Sequence, residues 1–197
     1  MGSRNRGKKA REQGPKRASV GSLDLDAVYA EMSKQSDRGT ALIAGELVNS
    51  CLQVAIWDYF AKRGDEEDLF FREGALLGPF SARIKIAYAS GVISESMRDR
   101  LTAVRKVRNH FAHEVRPHEF DEPYIVSWCD KLLEPTGPNP GRQAWKPERW
   151  RYIWNCINLC ERLLDIANKA YRERVASKLA EDVQAAILQK QKPPQKD

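Results

Sequence analysis

Apolar residues recur along this chain at intervals of three and four, and nowhere in sustained alternation with polar ones. That is the period of a helix, not of a strand. The first stretch to show it runs from about residue 23 to 34. Leu25, Val28, Tyr29 and Met32 form its apolar side and Ser22 stands where a cap belongs. Ser36 or Asp37 then opens a second helix, to about Lys62. This helix is apolar nearly all round, and its polar residues Glu46, Asn49, Ser50 and Gln53 gather on one narrow stripe. Such a helix belongs in the middle of a bundle.

Residues 64–79 are broken by acids, Gly and Pro, with Leu69, Phe70 and Phe71 as an apolar plug. Ser81 opens a short helix through Ser90, with Gly91 at the place of a C-terminal cap. Ser94 opens the next, to about Glu114. Asp121 and Pro123 give a cap and a first turn for a helix through Leu133. A Pro- and Gly-rich loop over 135–141 precedes a long helix beginning at Pro147, with Trp150, Ile153, Trp154, Ile157, Cys160, Leu164 and Tyr171 on one side. Beyond Tyr171 the spacing settles at strict fours (Val175, Leu179, Val183, Ile187), a stripe that drifts round the helix and suits a projecting end or a partner contact. The pattern predicts an all-α fold, a bundle of five to seven helices.

The 197 residues suit one domain over 21–189, with polar tails at 1–20 and 190–197. The net charge of +6 misleads. Residues 1–20 hold seven Lys or Arg and one Glu, and taking these from the totals of 33 and 27 leaves 26 of each sign. The chain beyond residue 20 is therefore neutral, and the basic pI does not point to a nucleic-acid face on the domain. The basic tail is expected to be unstructured and to touch phosphates weakly. No apolar run approaches the ~20 residues of a membrane span, and the basic N-terminus lacks the apolar core of a secretory signal. A cytoplasmic protein without membrane contact is expected. Cys51, Cys129, Cys156 and Cys160 lack paired ligand spacing, so free buried thiols are expected. A metal site joining them to His110, His113 or His118 has no spacing to support it. No metal and no cofactor is expected.

The segment with most chemistry is the helix from Ser94. Met97, Leu101, Val104 and Phe111 form its apolar stripe, with Val107 alongside, and Arg108 falls inside that stripe. A guanidinium on a core-facing side needs a carboxylate or a ligand. Glu46 is a candidate partner, and His113 is well placed to end the helix, where the dipole favours a cation. The functional alternative brings Arg108, Asn109 and His113 to a phosphodiester, the Arg holding phosphate and the His moving protons. With RNA the 2′-hydroxyl supplies the nucleophile and no metal is needed. On one helix Arg108 and His113 point roughly 140° apart, so a groove between two copies suits this chemistry better than one chain.

Three blocks resemble the mannitol operon repressor family: SDRGTALIAGELV at 36–48, LLGPFSARIKIAYASGVIS at 76–94 and LTAVRKVRNHFAHE at 101–114. The resemblance implies an all-helical domain with a role in transcriptional control and no recognised DNA-binding module. RNHFAH also resembles the Arg-polar-x-x-x-His motif of the HEPN superfamily of helical bundles, with Arg108, Asn109 and His113 in its three places. That resemblance implies a HEPN-like bundle, a homodimer and, in many members, metal-independent RNA cleavage. The reading favoured by the sequence is a regulator acting through protein or nucleic-acid partners. The alternative is an endoribonuclease using Arg108, Asn109 and His113 across a dimer groove.

Overall fold

The computed structural model describes residues 24–60, 70–72, 74–114, 116, 118–134, 136 and 146–190. The basic tail at 1–20, Ser22, Leu69 and most of the 135–141 loop lie outside the described residues, as do 191–197. Among the described residues there are six helices and no strand. They are α1 (Leu25–Lys34), α2 (Asp37–Phe60), α3 (Phe80–Ala89), α4 (Glu95–His113), α5 (Pro123–Cys129) and α6 (Pro147–Lys190). The fold is all-α.

The two longest helices, α2 and α6, form the most extensive pair, and α4 packs against both. Ala41, Val48, Leu52, Ala55 and Ile56 of α2 meet Tyr152, Ile153, Cys156, Leu159 and Leu163 of α6 in one dry core. The apolar side expected for α6 is only part of this surface. Between Trp150 and Ala167 the helix is buried on several sides, because α2, α4 and α5 all press on it. By length and composition α2 could also cross a membrane, contrary to the expectation from runs alone, but half of its apolar window is buried inside the bundle. That is how a central bundle helix looks.

The helix ends follow local chemistry, with some revisions to the expected caps. α1 is capped by Asp24, whose carboxylate accepts from the Ala27 N–H at 3.1 Å. Ser36 caps α2 by accepting from the Gly39 N–H at 3.1 Å, and Arg38 ties α2 to the end of α4 by donating to the Ala112 carbonyl. Asp37 is not the cap. It accepts from Arg149 of α6 at 2.7 Å and from the Phe120 N–H at 3.0 Å. α3 starts one residue before Ser81, after Pro79, with no side-chain cap. It ends in a Schellman motif: Gly91 has φ 75°, and Val92 N–H reaches the Ala87 carbonyl at 2.9 Å. Ser94 caps α4 as expected. Asp121 does not cap α5. It binds Lys146, and α5 stops at Cys129, short of Leu133.

Buried cations pin the elements together. Arg149 donates to Asp37, to the Met32 and Gln35 carbonyls and to the Thr40 hydroxyl, which fixes the α1–α2 corner on α6. Arg100 of α4 is buried against the Asn155 and Asn158 side-chain oxygens of α6 at 3.1 and 2.9 Å. Burial lowers its pKa to about 10, with the neighbouring Arg162 adding to the effect. Beyond Asp58, which holds Arg174 at 3.1 Å, α6 leaves the bundle. From Val175 to Leu188 its described side chains are exposed.

Candidate functional site

α2 and α4 approach closely at Gly45. A Cβ there would stand 2.8 Å from Arg108 Cγ, 2.9 Å from Arg108 Cβ and 3.0 Å from the Tyr152 hydroxyl. The missing side chain lets the stem of Arg108 lie across α2, and this close approach turns its guanidinium out of the core. The apolar stripe of α4 is buried as expected, through Met97, Leu101, Val104, Val107 and Phe111. Arg108 is not buried in that stripe. Its side chain keeps 35% of its exposure, because the helix turns it to the edge where α2 presents polar residues.

That edge is a groove of about 610 Å³. The polar stripe of α2, Glu46, Asn49 and Gln53, forms one side, and Arg83 and Arg108 reach into it. Arg83 is engaged: it donates to the Leu77 carbonyl at 2.7 Å, to Asn49 Oδ1 at 2.9 Å and to the Phe71 carbonyl at 3.3 Å. It also lies over the Phe71 ring. Its work is to hold the 70–78 segment on α2, and burial lowers its pKa. Of the expected plug, Phe71 is buried beside Trp57 while Phe70 is exposed.

Arg108 lies 3.6 Å from Glu46 and donates to Asn109 Oδ1 at 3.1 Å. The ion pair expected with Glu46 is present. The structure thus brings Arg108 and Asn109 together. His113 is exposed at the last residue of α4 and is not part of the groove lining. Within one chain the groove offers a cation already paired with a carboxylate. It can hold a polar or charged group of a partner, and it does not place His113 beside Arg108.

The four cysteines are buried and free, as expected. Burial pushes the Cys129 thiol up to about 12, which disfavours the thiolate that a nucleophile needs. A second polar cluster was missed by the sequence reading. His110, at the last turn of α4, meets His118 and Glu122 of the link to α5. Burial pushes the Glu122 carboxyl up, but the hydrogen bonds with His118 and the Glu119 backbone, and the nearby His110, bring it below the usual carboxylate range. The signal was available: His110, Glu114, His118 and Glu122 stand at strict intervals of four.

Compared with known protein families, curated proteins and solved structures, the chain matches none. The class that the fold defines is an all-α bundle with one arm, and the family resemblances rest on the residues quoted for them.

Proposed function

We propose that this chain is a regulatory binding protein of the cytoplasm, working as a homodimer and acting through contact with a protein partner rather than through RNA cleavage. The observation that carries the reading is the engagement of Arg108, the cation that cleavage would need for the phosphate, by Glu46 and Asn109. Arg108 is held in the groove by Glu46, and His113 stands outside it. General acid–base chemistry needs the proton carrier within hydrogen-bond reach of the reacting group. The α2–α4 groove, with its paired charges, suits a polar segment of a partner. This fits the transcriptional role that resemblance to the mannitol operon repressor family implies. The basic run at 1–20 adds a weak, salt-sensitive contact with nucleic acid.

The dimer is assigned to the arm of α6. Val175, Leu179, Val183 and Ile187 form an exposed apolar stripe on it. Large apolar side chains lined up in water mark an interface. The occupant is a second copy of the arm. An antiparallel copy sets Val175 beside the partner's Ile187 and Leu179 beside the partner's Val183, so the stripe covers itself. Sedimentation equilibrium tests this. Wild type should sediment as a dimer, and the pair Leu179→Glu and Val183→Glu should yield a folded monomer. A wild-type monomer, or a dimer untouched by the pair, would overturn the assignment. RNA cleavage by the wild type that depends on both Arg108 and His113 would replace the binding reading with the HEPN-type one.

A further inference from the structure

His110 lies in the last turn of α4, and His118 and Glu122 belong to the segment that leads into α5. The chain turns between them, and the three side chains meet. One ligand atom from each lies within 4.8 Å of the others. His110 Nε2 is 3.5 Å from Glu122 Oε2, and His118 Nδ1 is hydrogen-bonded to the same carboxylate. The other nitrogen of His118, Nε2, is 3.9 Å from Glu114 Oε2. Among the described residues, His110 Nε2 and His118 Nε2 are both buried and have no hydrogen-bond partner. Buried polar atoms are nearly always satisfied, so two such nitrogens side by side call for an explanation.

We propose that His110, His118 and Glu122 bind a divalent transition-metal ion, Zn2+ foremost. Two imidazole nitrogens and a carboxylate are a ligand set that Zn2+ takes. Bonds of about 2.0–2.1 Å in a tetrahedron put neighbouring ligand atoms roughly 3.4 Å apart. The 3.5 Å between His110 Nε2 and Glu122 Oε2 matches that spacing, and the three ligand atoms lie within 4.8 Å of one another. Calcium and magnesium prefer all-oxygen sets, so the two imidazoles select against them.

The ligands are also held in place before any ion arrives. Phe120, between His118 and Glu122, is fully buried, with ring centroids 5.0 Å from Phe111 and 5.4 Å from Tyr152. Its N–H is held by Asp37. The His110 ring is covered by Tyr124, centroids 4.7 Å apart. The Glu119 N–H donates to Glu122 Oε1 at 3.4 Å. The bound ion ties the end of α4 to the start of α5 across residues 114–122.

The test uses the full chain, stripped with EDTA and titrated by calorimetry with Zn2+, with Co2+ as a visible-absorption probe. The expected result is one ion per chain, a raised melting temperature and a Co2+ spectrum of a tetrahedral nitrogen–oxygen site. Loss of an outer-shell partner costs about 10–100-fold in affinity, so loss of a direct ligand should cost at least about 100-fold. His110→Ala and Glu122→Gln should each show that loss. His113→Ala removes the remaining one of the three histidines and should leave affinity unchanged. Should His110→Ala fail to fold, the nearly isosteric Glu122→Gln still reads the site, with circular dichroism to confirm its fold. Uptake below about 0.1 ion per chain, or equal affinity in wild type and Glu122→Gln, would overturn the proposal.

Discussion

Gly45→Ala isolates the contact that seats Arg108. The substitution has two opposing effects. Ala in a helix interior is favoured over Gly by about 1 kcal/mol. Against this, the added Cβ would sit at 2.8 and 2.9 Å from Arg108 Cγ and Cβ and at 3.0 Å from the Tyr152 hydroxyl. The Arg108 Cβ is fixed to the backbone of α4 and cannot swing away. The Tyr152 hydroxyl is buried and donates to the Ala41 carbonyl at 3.0 Å, so it too is tethered. Relief must come from parting α2 and α4, and because two of the three atoms are anchored the overpacking cost falls in the upper part of its usual range, about 2–3 kcal/mol. The clash wins over the propensity gain, by about 1–2 kcal/mol. For a domain of this size that is a fall of about 3–6 °C in melting temperature. Gly39→Ala is the control. Its Cβ would meet chiefly the far end of the Gln35 side chain, which can move, so stability should hold level or rise by up to about 1 kcal/mol. Thermal melts of both variants decide the matter. A Gly45→Ala protein as stable as wild type would refute the close α2–α4 contact and with it the seat of Arg108.

Other outcomes follow from the same contacts. Asp37→Ala should cost about 3 kcal/mol in urea denaturation, because it removes the carboxylate that balances the charge of Arg149 and leaves the Phe120 N–H without its acceptor. A loss no larger than that of Ser36→Ala, about 1 kcal/mol for a cap, would return Asp37 to a minor role. All four cysteines should resist a thiol reagent at pH 8 in the native protein and react in denaturant, and fast native labelling of Cys129 would contradict its burial. Arg100→Ala should destabilise by about 2–4 kcal/mol, since it leaves Asn155 and Asn158 with lost partners and opens a cavity against α6. A neutral melt would show that α4 and α6 do not depend on it.

The helices were legible because their apolar residues keep the helical period and their ends carry Ser, Pro and Gly. The polar stripe on α2 and the Glu46–Arg108 pair were legible for the same reason, since spacing places them on facing edges. The caps were less so. Asp37 reads as a cap from its neighbours in sequence, and its true partner, Arg149, comes from a helix more than a hundred residues away. Arg108 reads as core-facing from its helix angle, because no periodicity records that Gly45 lets its stem cross α2. Arg83 and Arg100 look like ordinary surface cations in sequence. What buries them is tertiary: carbonyls at the 70–78 turn for one, two asparagines of α6 for the other. The His110–His118–Glu122 cluster escaped because its interval of four suggests a single helix, whereas α4 ends at His113.

The most direct test of the binding reading is incubation of the full chain with mixed RNA in EDTA, followed by separation of the products by length. Wild type should leave the RNA intact, since Arg108 is already engaged by Glu46 and Asn109. Cleavage by wild type that persists in EDTA, spares DNA and disappears in both Arg108→Ala and His113→Ala would contradict the account. It would make the chain a ribonuclease.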